Sequence, residues 1–202
     1  TDEAAILAKL GESFAVTGNG YKPYACGVVL HPIIDSAIAL GQKSGIVPSN
    51  VERLEVTANI KAVTITGVSD PKSGLKSKFS IGHASAVSFI DGNAGRHQFS
   101  NERALAPDVV ALREKVSVTV DEKFRVDQAT AVVIGKDGTR FEYKTEHATG
   151  MVDNPMSDEQ IETKFFDNAE SIVGAEKAKE IREMVWELES VSDVGTLMRL
   201  CR

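Results

Sequence analysis

Long apolar runs are missing from this 202-residue sequence. Stretches such as 28–30 and 131–134 fall far short of the ~20 residues that span a bilayer, so no membrane-spanning helix is expected. Cysteine is scarce: Cys26 and Cys201 stand far apart, which argues against a disulfide scaffold or a zinc cluster and for a reducing, cytoplasmic compartment. Basic residues are outnumbered, 23 Lys and Arg against 29 Asp and Glu, and the net charge of −6 comes with no basic stripe of the kind that nucleic acid requires. Also absent are internal repeats, a Gly-rich phosphate loop and a Gly-x-Ser-x-Gly elbow. Asp35 and the scattered acids show neither a His-Glu-x-x-His spacing nor a calcium loop, so no metal is expected. With 42% hydrophobic and 26% charged residues, what remains is a globular chain of one large or two small domains. It opens at Thr1 with no initiator Met or signal segment, as a fragment of a longer protein would.

Apolar spacing of Ile6, Leu7, Leu10 and Phe14 predicts a short amphipathic helix ending near Gly18. A loop follows, and then a helix from Pro32 to Lys43 with Ile33, Ile34, Ala37, Ile38 and Leu40 on one face and His31 at its start. The β-branched stretch 51–66 reads as strand, 67–77 as loop, and 78–91 as a buried helix closed by Asp91-Gly92. A second β region takes in Val116, Val118 and Val120, then 131–134, then Phe141 and Tyr143 across an Asp137-Gly138 hairpin turn. Ser157-Asp158-Glu159-Gln160 forms a capping box ahead of two amphipathic helices hinged near Gly174, with a last short helix over 193–200. This order of elements is that of an α+β fold.

One stretch is chemically loaded. Lys22, Tyr24, Cys26 and His31 place a cation, a phenol, a thiol and an imidazole within ten residues of a loop that enters a helix, where free N–H groups and the helix dipole favour an anion. Lys22 is suited to neutralise a carboxylate and His31 to move a proton. The plain alternative is a solvated lysine, a small buried cysteine and a histidine at a helix start. For His83, one helical turn after Phe79, the plain reading is a hydrogen-bonded core histidine; His97 and His147 lie in polar surroundings.

Lys22-x-Tyr24-Ala25-Cys26 with His31-Pro32, then Lys78-Phe79-Ser80 to Asp91-Gly92, then Asn154-Pro155-Met156-Ser157 with Lys164-Phe165, resembles the MmgE/PrpD family in content and order across nearly the whole chain. That family holds 2-methylcitrate dehydratases, cis-aconitate decarboxylases and iminodisuccinate epimerases, which act on small di- and tricarboxylates without a cofactor. The resemblance implies the C-terminal part of a protein about twice as long. Residues 1–20 would be a helical segment of the missing N-terminal helical domain or a linker. Residues 21–152 would be an α+β lid with a mixed or antiparallel sheet, and 153–202 helices packing back on the helical domain. It further implies His31 and His83 as catalytic positions, Lys22, Tyr24, Cys26 and Ser80 as substrate-binding positions, no metal, and a homodimer. Several relatives carry Tyr at the position of His83, and animal cis-aconitate decarboxylases carry His at that of Gly27. Dehydration of a 2-methylcitrate-type substrate is therefore the first expectation, with epimerisation or decarboxylation as alternatives and the isolated piece inactive. A contrasting expectation is a non-catalytic interaction or dimerisation domain of the same fold.

Overall fold

A computed structural model describes residues 2–202. In chain order the elements are α1 (Glu3–Leu7), α2 (His31–Lys43), β1 (Val51–Ala58), α3 (Ile60–Thr66), α4 (Gly74–Ser77), α5 (Ile81–Asp91), α6 (Asn101–Ala104), α7 (Pro107–Arg113), β2 (Val116–Val120), β3 (Ala129–Gly135), β4 (Arg140–Thr145), α8 (Asp158–Val173), α9 (Ala175–Trp186) and α10 (Val194–Leu200). The expected α+β fold is present. No helix among the described residues is long and apolar enough to cross a membrane.

The four strands form one mixed sheet in the order β2-β1-β3-β4. β1 runs parallel to β2 and antiparallel to β3, and β3 pairs with β4 through the expected hairpin, where Gly138 takes φ +84°. Register aligns the apolar side chains in rows: Leu54 faces Val116 and Val133, and Val56 faces Val118 and Ala131. Phe141 and Tyr143 extend those two rows on β4. Because directly paired residues share a face, these rows give the sheet one apolar side.

The helices α2 and α5 cover that side. Ile33, Ile34, Ala37 and Leu40 of α2 are fully buried in the same core as Leu54, Ala131 and Val133, each large side chain contributing about 1.5–3 kcal/mol. A buried bond between the Ser36 and Thr145 hydroxyls (2.8 Å) fixes α2 over β4. α5 begins at Ser80, whose hydroxyl accepts the His83 N–H (3.2 Å), and ends at Gly92 in the left-handed conformation. Where α2 crosses α5, Gly41 lies against the Phe89 backbone so closely that a Cβ would collide with the Phe89 carbonyl.

Three expectations need correction. Helix α1 stops at Leu7, because Lys9 and Gly11 adopt left-handed backbone; Leu10 and Phe14 remain exposed, and the Ile6 side chain lies outside what is described. Strand β1 ends at Ala58, where the Asn59 side chain accepts the Lys61 N–H and starts α3 despite its β-branched residues. The helix predicted from Lys78 begins at Ile81, with α4 as a separate turn before it. The capping box at Ser157 and Gln160 and the hinge at Gly174 (φ +85°) form as expected. In α8 no residue is buried, and in α9 only Ala178 and Ile181 are.

Candidate active site

The loop 21–27 is held at both ends by backbone. Tyr21 N–H donates to the Gly150 carbonyl (2.8 Å), Ala25 N–H to Ala94 (3.1 Å) and Gly27 N–H to Lys78 (3.3 Å). Contact with the 148–154 segment is so close that a Cβ on Gly20 would strike Gly150, and one on Gly150, at φ +85°, would strike Tyr21.

Beside this loop lies a cavity of about 670 Å³. Four cations line it: Lys22 from the loop, Lys78 from the turn before α5, Arg96 from the loop after α5, and Lys164 from α8. None of the four is ion-paired with a carboxylate among the described residues, and Asp167 is the acid on the wall. Lys164 Nζ donates to the Lys22 carbonyl (2.6 Å) and Arg96 Nη1 to that of Asn168 (3.5 Å), which ties α8 to the opposite wall. Clustered, unneutralised cations in a concave site raise the local concentration of anions.

Tyr24 lines the same cavity, and its hydroxyl donates to Asp35 Oδ1. Burial, then the Asp35 charge and hydrogen bond, raise this phenol above its ordinary range, so it stays a donor at neutral pH. The Tyr24 ring meets His31 edge-on, with centroids 5.3 Å apart. His31 is fully buried at the start of α2, and neither ring nitrogen has a hydrogen-bond partner among the described residues. Burial, helped by the charges of Lys22 and Lys164, brings its pKa down to about 4. A neutral imidazole left unpaired costs about 1–3 kcal/mol, an expense more common at functional sites than in ordinary cores.

The other candidates are placed differently. Cys26 is buried off the cavity, and burial pushes its thiol up to about 12 against the opposing pull of Lys22 and Lys78. It behaves as a small apolar residue. Ser80 spends its hydroxyl on the α5 cap. His83 is fully buried, its ring 5.4 Å from Phe99, with Nε2–H donating to the Gln98 carbonyl (2.8 Å). Burial is the main cause that lowers its pKa to about 4. Gln98 in turn accepts from Gly95 N–H (3.0 Å) and donates to Asp91 (3.1 Å), and Asp91 is clamped by Arg103. These bonds tie His83 to the loop that carries Arg96. Lys22, Tyr24 and, behind Tyr24, His31 come together; Cys26, Ser80 and His83 do not join them at the cavity wall.

Sequence reasoning did not single out Arg96, Lys78 or Lys164 as site residues. Lys78 and Lys164 stood inside the two later blocks of the resemblance, but only the fold shows that they converge. No group of three or more His, Cys, Asp or Glu side chains among the described residues is arranged to hold a metal ion.

Comparison with known proteins matches residues 24–190 to the MmgE/PrpD C-terminal domain. Curated relatives include a cis-aconitate decarboxylase of Aspergillus terreus, 25% identical over 98% of this chain and 43% of its own length. Another is the cis-aconitate decarboxylase of Mus musculus, 23% identical over 90% of this chain and 39% of its own. The chain spans about two fifths of the length of these relatives.

Proposed function

This chain belongs to the MmgE/PrpD family, and we propose that it supplies the cationic wall of the active site of a lyase that acts on a small di- or tricarboxylate. The cavity with four unneutralised cations is the observation that carries this reading. Lys22, Lys78, Arg96 and Lys164 bind substrate carboxylates, and Tyr24, its hydroxyl donated to Asp35, shapes the wall beside them. Removing a proton or a carboxylate next to a carboxyl-bearing carbon builds up negative charge, which these groups stabilise. His31, neutral at pH 7 and fully buried behind Tyr24, backs the Tyr24 ring rather than touching the substrate. The acid–base groups come from a helical domain that lies outside these 202 residues, and the protein works as a cytoplasmic homodimer.

Dehydration of a 2-methylcitrate-type acid is the first reading of the reaction. Decarboxylation of cis-aconitate is the second, favoured by the names of the matched relatives. At position 27 a Cβ would already stand 3.1 Å from Thr66 Cγ2, so the His expected in animal decarboxylases does not fit here without movement. The test is to incubate the full-length protein with 2-methylcitrate, citrate, cis-aconitate and iminodisuccinate. Loss of water from 2-methylcitrate supports the first reading, and CO2 release from cis-aconitate the second. Inertness toward all four refutes the enzyme and leaves the interaction domain. Lys22→Ala removes one charge-assisted contact of about 1.5–3 kcal/mol and is expected to raise KM about 10- to 100-fold.

A further inference from the structure

Asp35 stands one helical turn after His31 on α2, and its two carboxylate oxygens serve two different segments. Oδ1 accepts from the Tyr24 hydroxyl, and Oδ2 accepts from the Thr149 N–H (2.7 Å). Tyr24 and Thr149, together with Ile38, line two neighbouring cavities. One is the cationic cavity, and the other is a second cavity of about 520 Å³ lined by Asp35, Lys43, Tyr143 and His147 among others. His31 sits dry against the edge of Tyr24. Its charged neighbours across the site are Lys22 and Lys164, both of which disfavour the imidazolium.

We infer that Asp35 is a positioning residue which pins Tyr24 to Thr149, keeps the two cavities separate and holds water away from His31. No other hydrogen bond restrains the phenol among the described residues, so without the carboxylate the ring is free to swing and His31 meets solvent. Asp35 itself is half-buried, and that burial raises its own pKa, a cost that the bonds to Tyr24 and Thr149 oppose.

The test is carried out on the full-length protein with isotope-labelled His and Tyr. In the wild type, a through-space contact between the Tyr24 and His31 rings is expected, with His31 neutral down to about pH 4. In Asp35→Ala, which adds a good helix former, the contact should vanish and the His31 midpoint should rise by about one pH unit or more. Tyr24→Phe, which keeps the ring and deletes only its bond, should shift His31 in the same direction. His83, in the core on α5, serves as the internal control and should not move. No shift at His31 in either variant, or equal shifts at His31 and His83, overturns the inference. The consequence for turnover rests on the lyase reading: Asp35→Ala should lower kcat about tenfold with KM nearly constant, unlike Lys22→Ala. A protein inert toward all four acids would remove the lyase reading alone, because the titration does not depend on substrate.

Discussion

Substituting Ala for Gly41 adds one methyl group where α2 crosses α5, and two opposing effects decide the outcome. Ala is favoured over Gly in a helix by up to about 1 kcal/mol. Against that, the new Cβ would overlap the Phe89 carbonyl oxygen and stand 3.2 Å from the carbonyl carbon. Those atoms are backbone within α5, so no side chain can rotate away and the two helices must move apart. Overpacking of this kind costs about 1–3 kcal/mol, and the upper end applies where the obstacle is rigid. The expected net loss is about 2 kcal/mol, a fall in Tm of about 4–8 °C for a chain of this size. Urea unfolding and thermal melts followed by circular dichroism measure it. Gly18→Ala is the control: nothing lies within 4 Å of its Cβ position, and stability should stay within about 0.5 kcal/mol. A Gly41→Ala protein more stable than wild type would refute the close crossing.

Acid should weaken the fold in a defined window. His31 and His83 titrate near 4 when folded but near 6.5 when unfolded, so below pH 6.5 the unfolded chain binds more protons. The contribution of these two histidines therefore falls as pH drops from about 6.5 and levels off below about 4, by a few kcal/mol in all. Asp35, whose carboxyl pKa is raised by burial, opposes this. Urea midpoints that stay flat from pH 7 to 4.5 would contradict the buried neutral imidazoles, and His83→Gln should reduce the slope. Arg103 holds Asp91 and Asp108 at once with both ends of the Asp91 bond largely shielded, so Arg103→Leu should cost about 2 kcal/mol by the same assay. A change under 0.5 kcal/mol would show that this clamp is idle.

Local chemistry with a short reach was readable from the sequence. Asp137-Gly138 supplied the left-handed turn between β3 and β4, Ser157 and Gln160 closed their reciprocal cap, and the apolar stripe from Ile33 to Leu40 became the buried face of α2. Elements whose propensity and context disagree were not readable. Ile60, Val63 and Ile65 have the composition of a strand, yet one Asn59 side chain starts a helix there. Residues 101–113, read as nothing in particular, form α6 and α7. At the site, Lys22, Tyr24 and His31 stood together because one loop carries them. Arg96 and Lys164 join them only after α5 and α8 have been placed, a convergence no local pattern encodes. Asp35 was weighed only as a metal ligand, since nothing in a sequence shows that a carboxylate will find a phenol and an amide from two distant segments.

Gly20 and Gly150 meet backbone to backbone, and that contact has a genetic side. Glycine codons tolerate change only at the third base, so any missense substitution at either position introduces a side chain for which there is no room, and a second substitution at its partner cannot restore the fit. The core between the sheet and its two covering helices uses neither residue. Variants at these two codons should therefore accumulate as folded, antigenically normal protein with a displaced site loop, a class of loss that abundance measurements alone would miss.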